Sequence, residues 1–113
     1  MKRGEIWVAN LNPNRGTEVE EIRPVMILQN TVLTDNGFPT IAVLPMTTQV
    51  RKDVSTLRIT IPARDELREN CQIMVDQPRS IDRKRIGEGP LTRLNSAELE
   101  AVEKSLMAVL GMM

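Results

Sequence analysis

Leu94-Asn95-Ser96-Ala97-Glu98-Leu99-Glu100-Ala101-Val102-Glu103-Lys104-Ser105-Leu106-Met107-Ala108-Val109-Leu110-Gly111 is the stretch that decides the fold. Leu99, Val102, Leu106, Val109 and Leu110 recur at the spacing of one helix face. Asn95 stands where a helix N-cap is needed, and Glu98 follows at the position that completes a capping box. Leu94 and Leu99 occupy the staple positions around that cap, and Gly111 is a natural stop. This apolar stripe needs a surface to cover, and the rest of the chain supplies strands.

Upstream, Leu57, Ile59 and Ile61 alternate with Arg58 and Thr60, a half-buried strand with one wet face. Ile6 and Val8 alternate with Trp7 and Ala9 in a first short strand. Val25–Gln29 is apolar almost throughout and predicts a buried strand. Thr40–Leu44 predicts another, closed by Pro45, and Gln72–Asp76 a further one. Asp35-Asn36-Gly37 predicts a hairpin turn. Leu11–Ile22 reads as a long polar loop, Pro62–Arg68 as a helical turn and Ser80–Arg85 as a short helix; Gly87, Gly89 and Pro90 break the chain. The expected class is α+β. It is one domain over residues 1–113, a small antiparallel β-barrel-like curled sheet with a C-terminal helix.

Composition narrows the chemistry. Histidine is absent, which excludes histidine general acid–base pairs, Ser-His and Cys-His triads and most zinc sites. Tyrosine is absent too, and Trp7 and Phe38 are the only aromatics, so rows of aromatics stacking on bases are not expected. Lys+Arg and Asp+Glu balance at 15 each, so any polyanion site must come from local placement of arginines. Arg79–Arg85 is the densest basic segment; it reads as a solvated face or as a contact for an RNA backbone or an acidic partner. The single Cys71 fits a reducing, cytoplasmic setting. Neither a signal peptide nor a membrane span is expected.

Three short stretches carry candidate chemistry. Pro24 biases Arg23 toward extended geometry, at the mouth of a buried strand. An arginine held there suits a bidentate grip on phosphate. Pro45-Met46-Thr47-Thr48-Gln49 ends a strand with hydroxyl and amide groups, and Asp76-Gln77-Pro78-Arg79 ends another with charges. Met26, Met46 and Met74 read as core gap-fillers. Taken singly, each of these has an ordinary structural explanation.

Their order adds more. Arg3-Gly4-Glu5-Ile6-Trp7, Asn12-Pro13, Gly16-Thr17-Glu18, Arg23-Pro24-Val25, Pro45-Met46-Thr47-Thr48-Gln49 and Asp76-Gln77-Pro78-Arg79-Ser80-Ile81-Asp82 follow one another from about Lys2 to Leu110. In this the chain resembles the MazF/PemK family of toxin endoribonucleases. The resemblance implies a homodimer that cuts single-stranded RNA at short sequence motifs, without metal or cofactor. It also implies a cognate, MazE-like antitoxin with an acidic C-terminal segment. The family's catalytic arginine falls on Arg23, its threonine on Thr47, and the acidic residue of its first loop on Glu18. RNA contacts are expected at Asn14, Gln49, Asp76, Gln77 and Arg79. The implied chemistry is attack of a 2′-hydroxyl on the adjacent phosphorus, giving a 2′,3′-cyclic phosphate and a 5′-hydroxyl.

Two positions depart from relatives. Ile22 stands where some carry a histidine, and Met74 where some carry an arginine. CcdB-like proteins, which poison DNA gyrase by binding it, share this architecture and are the alternative. Arg23-Pro24 and the Pro45-Met46-Thr47 motif belong to the nuclease branch.

Overall fold

The computed structural model describes residues 1–12, 21–53 and 57–113. The elements in chain order are β1 (Glu5–Asn10), β2 (Ile22–Ile27), α1 (Thr31–Asp35), β3 (Thr40–Thr47) and β4 (Arg58–Ile61). They continue with β5 (Cys71–Met74), β6 (Arg79–Asp82), β7 (Thr92–Arg93) and α2 (Ser96–Val109). All observed pairings are antiparallel. This is the expected curled sheet with a C-terminal helix.

Strand β3 is the hub. One edge takes β2 at Val43–Pro45. The other takes β6 at Thr40–Val43 and then β5 at Met46 and Thr47. A strand that changes partners along one edge bends the sheet at that point. β4 pairs outside β5, and β7 pairs with β1. A bridge from Ile86 to Ala9 returns the chain after β6 to the far edge of β1, which gives the curl its barrel-like form.

The period-two alternation of the strands feeds two cores. Ile6, Met26, Leu44, Met46, Ile61 and Ile73 point to one, which α2 covers. Ala9, Val25, Ile27, Ile41, Val43 and Ile81 point to the other. Val102 of α2 is fully buried on the first core, with Leu99 and Leu106 half-buried beside it. Burying a side chain of this size contributes about 1.5–3 kcal/mol. The last turn of the predicted stripe does not follow: Val109 and Leu110 are exposed.

The cap of α2 forms as the sequence predicts. Glu98 N–H donates to Asn95 Oδ1 at 2.8 Å, and Asn95 N–H donates to Glu98 Oε1 at 2.9 Å. At the other end Gly111 takes a φ of 72°. Met112 N–H then reaches Met107 O, and Gly111 N–H reaches Ala108 O, the paired bonds of a Schellman stop.

Four local expectations are corrected. Asn36-Gly37 does not make a hairpin turn. Asn30 caps the short helix α1, and Gly37 (φ 77°) ends it with the same Schellman pattern, Phe38 to Leu33 and Gly37 to Thr34. A helix of five residues is too short to register as a periodic pattern. Pro62–Arg68 is a tight turn, not a helical one: Arg64 and Leu67 exchange backbone hydrogen bonds around Asp65. Ser80–Arg85 divides between β6 and a single 3-10 turn at Arg83–Arg85. Strand β3 runs through Pro45 to Thr47.

The Arg64 turn ties the sheet to the helix. Arg64 Nη1 and Nη2 donate to Glu98 Oε2 and Oε1 at 2.8 and 2.7 Å, and Nη2 also reaches Arg93 O. The Arg64 hydrogen bonds hold the Glu98 carboxyl below its ordinary 4.5, against the opposing effect of burial. A lowered acid stabilises the fold only while ionised. Its contribution is therefore complete above about pH 4.5 and is lost as pH falls through the lower folded value. Glu98→Gln is expected to cost about 2 kcal/mol at neutral pH, or about 8 °C in melting temperature. The gap from the native protein should close in acid. Melting curves in a pH series measure this, and a gap that stays constant down to pH of about 3 overturns it.

Candidate active site

Antiparallel pairing of β2 and β3 ends at Val25 opposite Pro45. Two more steps of that register would set Arg23 opposite Thr47, but the ladder stops. The next hydrogen-bonded step would join Pro24 to Met46, and Pro24 offers no N–H to continue it. Beyond Val25, β2 stays with β1, pairing Pro24 with Val8 and Arg23 with Ala9. Beyond Pro45, β3 turns to β5, pairing Met46 with Ile73 and Thr47 with Gln72. The two strands part, and a cleft of about 410 Å³ opens between them.

Arg23 and Thr47 stand on opposite walls of this cleft, with Met46 and Met74 beside them. Arg51 and Arg58 also line it, as do Thr48 and Gln49. Among the described residues, the lining therefore carries three arginines and no carboxylate. In a chain of zero formal net charge, this is a local placement of positive charge suited to a polyanion.

Each side chain is held by its neighbours. Arg23 Nε lies 2.6 Å from Glu21 Oε1, and the Arg23 side chain is 36% exposed. Glu21 and Arg23 are two residues apart and so fall on the same side of an extended chain. With Nε committed to Glu21, the terminal nitrogens of the fork remain to meet a ligand. Thr47 Oγ1 accepts from Gln49 N–H at 3.1 Å, which closes the end of β3. A hydroxyl that accepts still has its own proton to donate.

The structure separates the other predicted residues. Gln49 joins the cleft. Asp76 and Gln77 lie in the exposed turn after β5 and are not among its lining residues. Arg79 donates from Nη2 to Leu11 O at 3.1 Å. Arg83 and Arg85 likewise donate to the carbonyls of Thr34 and Asn12. The arginines of the basic segment thus hold their own backbone. Asn14 and Glu18 lie outside the described residues. Cys71 is buried in the core, where burial pushes its thiol above the ordinary value, and it does not line the cleft. Among the described residues, no group of three or more Cys, Asp or Glu side chains is placed to hold a metal ion. None of the described helices is long and apolar enough to cross a membrane.

A family model described as PemK-like, MazF-like toxin of type II toxin-antitoxin system matches residues 2–110. The chain belongs to this family. Solved MazF structures share its fold. The toxin MazF-mt6 of Mycobacterium tuberculosis is 21% identical, with a TM-score of 0.78 over 96% of this chain and 98% of that one. MazF in a MazE-MazF crystal structure from Deinococcus radiodurans is 23% identical, with a TM-score of 0.81 over 100% and 97%. An endoribonuclease solved with its cognate antitoxin from a Mycobacterial species is 17% identical, with a TM-score of 0.72 over 100% and 95%.

In this MazF-like chain, four residues at or behind the cleft escaped sequence reasoning. Glu21 was legible in principle, through its spacing from Arg23. Arg58 belongs to the wet face of a predicted strand, and nothing local in the sequence says what that face looks onto. Arg51 and Gln72 gave no signal, because their placement depends on the pairing of β5 with both β3 and β4.

Proposed function

We propose that this MazF-like toxin is an endoribonuclease that cuts single-stranded RNA in the cleft between β2 and β3 without a metal ion. The observation that carries the proposal is the convergence of Arg23 and Thr47 on one cationic cleft, where the β2–β3 ladder is interrupted. The 2′-oxygen attacks the adjacent phosphorus, and the bond from phosphorus to the 5′-oxygen breaks. The 2′-hydroxyl loses its proton and the departing 5′-oxygen gains one. The products are a 2′,3′-cyclic phosphate and a 5′-hydroxyl.

Arg23 stabilises the charge that grows on the phosphoryl oxygens, since its guanidinium is permanently cationic and fork-shaped. Thr47 donates a hydrogen bond to one of them. Arginine is a poor base at neutral pH, with a pKa above about 12. The 2′-hydroxyl proton is therefore assigned to a carboxylate, Glu18. RNA positioning falls to Gln49 in the cleft, to Asp76, Gln77 and Arg79 beyond it, and to Asn14. Family membership supports a homodimer and an antitoxin of MazE type as partners. The arginine-lined cleft favours nuclease action over a CcdB-like, gyrase-binding role.

Incubation of the purified protein with a long single-stranded RNA, in chelator and without ribosomes, is expected to yield discrete fragments. Their ends should be 2′,3′-cyclic phosphate and 5′-hydroxyl. Fragments ending in a 3′-hydroxyl, or loss of cleavage in chelator, sink the mechanism. Full cleavage by Glu18→Gln removes Glu18 from the proton transfer.

A further inference from the structure

We propose that the cleft contains a second phosphate subsite, formed by Arg51 and Arg58 and built by the buried side chain of Gln72. The proposal deepens the nuclease reading above and takes its ligand, single-stranded RNA, from that reading.

Gln72 sits at the centre of a polar row. On β5 it pairs with Thr47 of β3 on one side and with Thr60 of β4 on the other. It is only 3% exposed, so its amide needs protein partners. Its Oε1 accepts from Arg51 N–H at 2.8 Å, and its Nε2 donates to Arg51 O at 2.9 Å. Nε2 also donates to Thr60 Oγ1 at 3.2 Å. Both backbone groups of Arg51 are thus held by one side chain that belongs to the sheet. This pins the segment after β3 at the residue whose side chain enters the cleft.

Arg58 comes from the same face. It pairs with Met74 as Thr60 pairs with Gln72, two residues along each strand. Successive side chains alternate across a sheet, so Arg58, Thr60, Gln72 and Met74 share one side. Both guanidinium groups therefore have fixed roots at the wall that faces Arg23. Arg51 Nη2 lies 3.3 Å from Asp53 Oδ2, with the two side chains 57% and 69% exposed. An ion pair this exposed and solvent-screened holds weakly, so a phosphate can replace Asp53 at little cost. A buried amide spent on fixing one exposed arginine has an explanation if that arginine must be in place before the ligand arrives.

The probe is a single-stranded RNA oligonucleotide with every 2′-hydroxyl methylated. It offers no attacking group, so binding is read whether or not the protein cleaves. The slope of log Kd against log salt counts the phosphates neutralised, at about 0.7 for each in a single strand. Arg51→Ala and Arg58→Ala are each expected to flatten the slope by about that amount. Gln72→Leu should flatten it as Arg51→Ala does. Combined with Arg51→Ala it should add nothing; combined with Arg58→Ala it should add its full effect. Thr60→Val, which keeps the side-chain shape and removes one bond to Gln72, should give a partial loss. Arg51→Ala leaves the core untouched and is informative even if Gln72→Leu folds poorly.

Unchanged slopes in both arginine variants overturn the subsite. Full additivity of Gln72→Leu with Arg51→Ala overturns the role of Gln72. Flattened slopes in a protein that cuts no RNA keep the subsite and overturn the nuclease reading. Cleavage with unaltered slopes does the reverse.

Discussion

Arg23→Ala is expected to reduce RNA cleavage by about 10²–10³ or more while leaving the fold intact. The loss follows from the role proposed for the arginine at the phosphate. Two oxygens there share a charge that grows as the 2′-oxygen approaches, and a planar fork meets both. Nothing else in the described cleft holds the same place on the β2 wall. Arg51 and Arg58 enter from the segment after β3 and from β4, across the cleft. Stability should barely change. The side chain is 36% exposed, and its ion pair with Glu21 is partly solvated. Arg23→Lys keeps the charge and loses the fork, so it should recover only part of the rate. Thr47→Ala should fall near the lower end of the same range, since it removes one preorganised donor. Single-turnover cleavage of a mapped RNA, with melting curves as the control, measures all three. An Arg23→Ala protein that cuts within about tenfold of the native rate ends the assignment.

That prediction rests on residues the sequence could name but not place. Asn95 with Glu98, and the spacing from Leu99 to Leu106, announce α2 because a capped helix is a local object. Leu57 to Ile61 announces β4 for the same reason: one wet face alternates with one dry face. Pairing is different. The partners of β3 lie up to about 40 residues away, and no local pattern says that it serves β2, β6 and β5 in turn. The cleft exists because of that exchange of partners. Arg23 and Thr47 were therefore visible as family positions, and Arg51, Arg58 and Gln72 were not visible as a site. The proline at residue 45 shows the limit well. Read locally it closes a strand; in the fold it stands where β3 leaves β2 and keeps going.

The largest loss of stability is expected at another residue whose role only the fold reveals. In the sequence Gly89 is one of several chain breakers before Pro90. In the structure the segment around it lies along β1: Gly87 N–H reaches Val8 O, Val8 N–H reaches Glu88 O, and Leu91 N–H reaches Ile6 O. This brings Gly89 flat against the indole of Trp7. A Cβ at residue 89 would fall 2.3 Å from Trp7 Cδ2 and 2.6 Å from both Cγ and Cε3. These are ring atoms and cannot bend aside. Nor can the ring swing freely, because Trp7 Nε1 donates to Glu5 Oε1 at 3.1 Å. Glu5 is buried and also takes the Lys2 N–H and Arg93 Nη2. Burial opposes its charge, but these bonds outweigh burial and hold its carboxyl below the ordinary value. Moving Trp7 would disturb that network and the second core it packs against. Gly89→Ala should therefore cost about 3 kcal/mol, which lowers the melting temperature by about 12 °C. Removing the ring removes the clash, so Trp7→Ala with Gly89→Ala should melt no lower than Trp7→Ala alone. A Gly89→Ala protein melting within about 2 °C of the native one shows that the chain can step away from the ring.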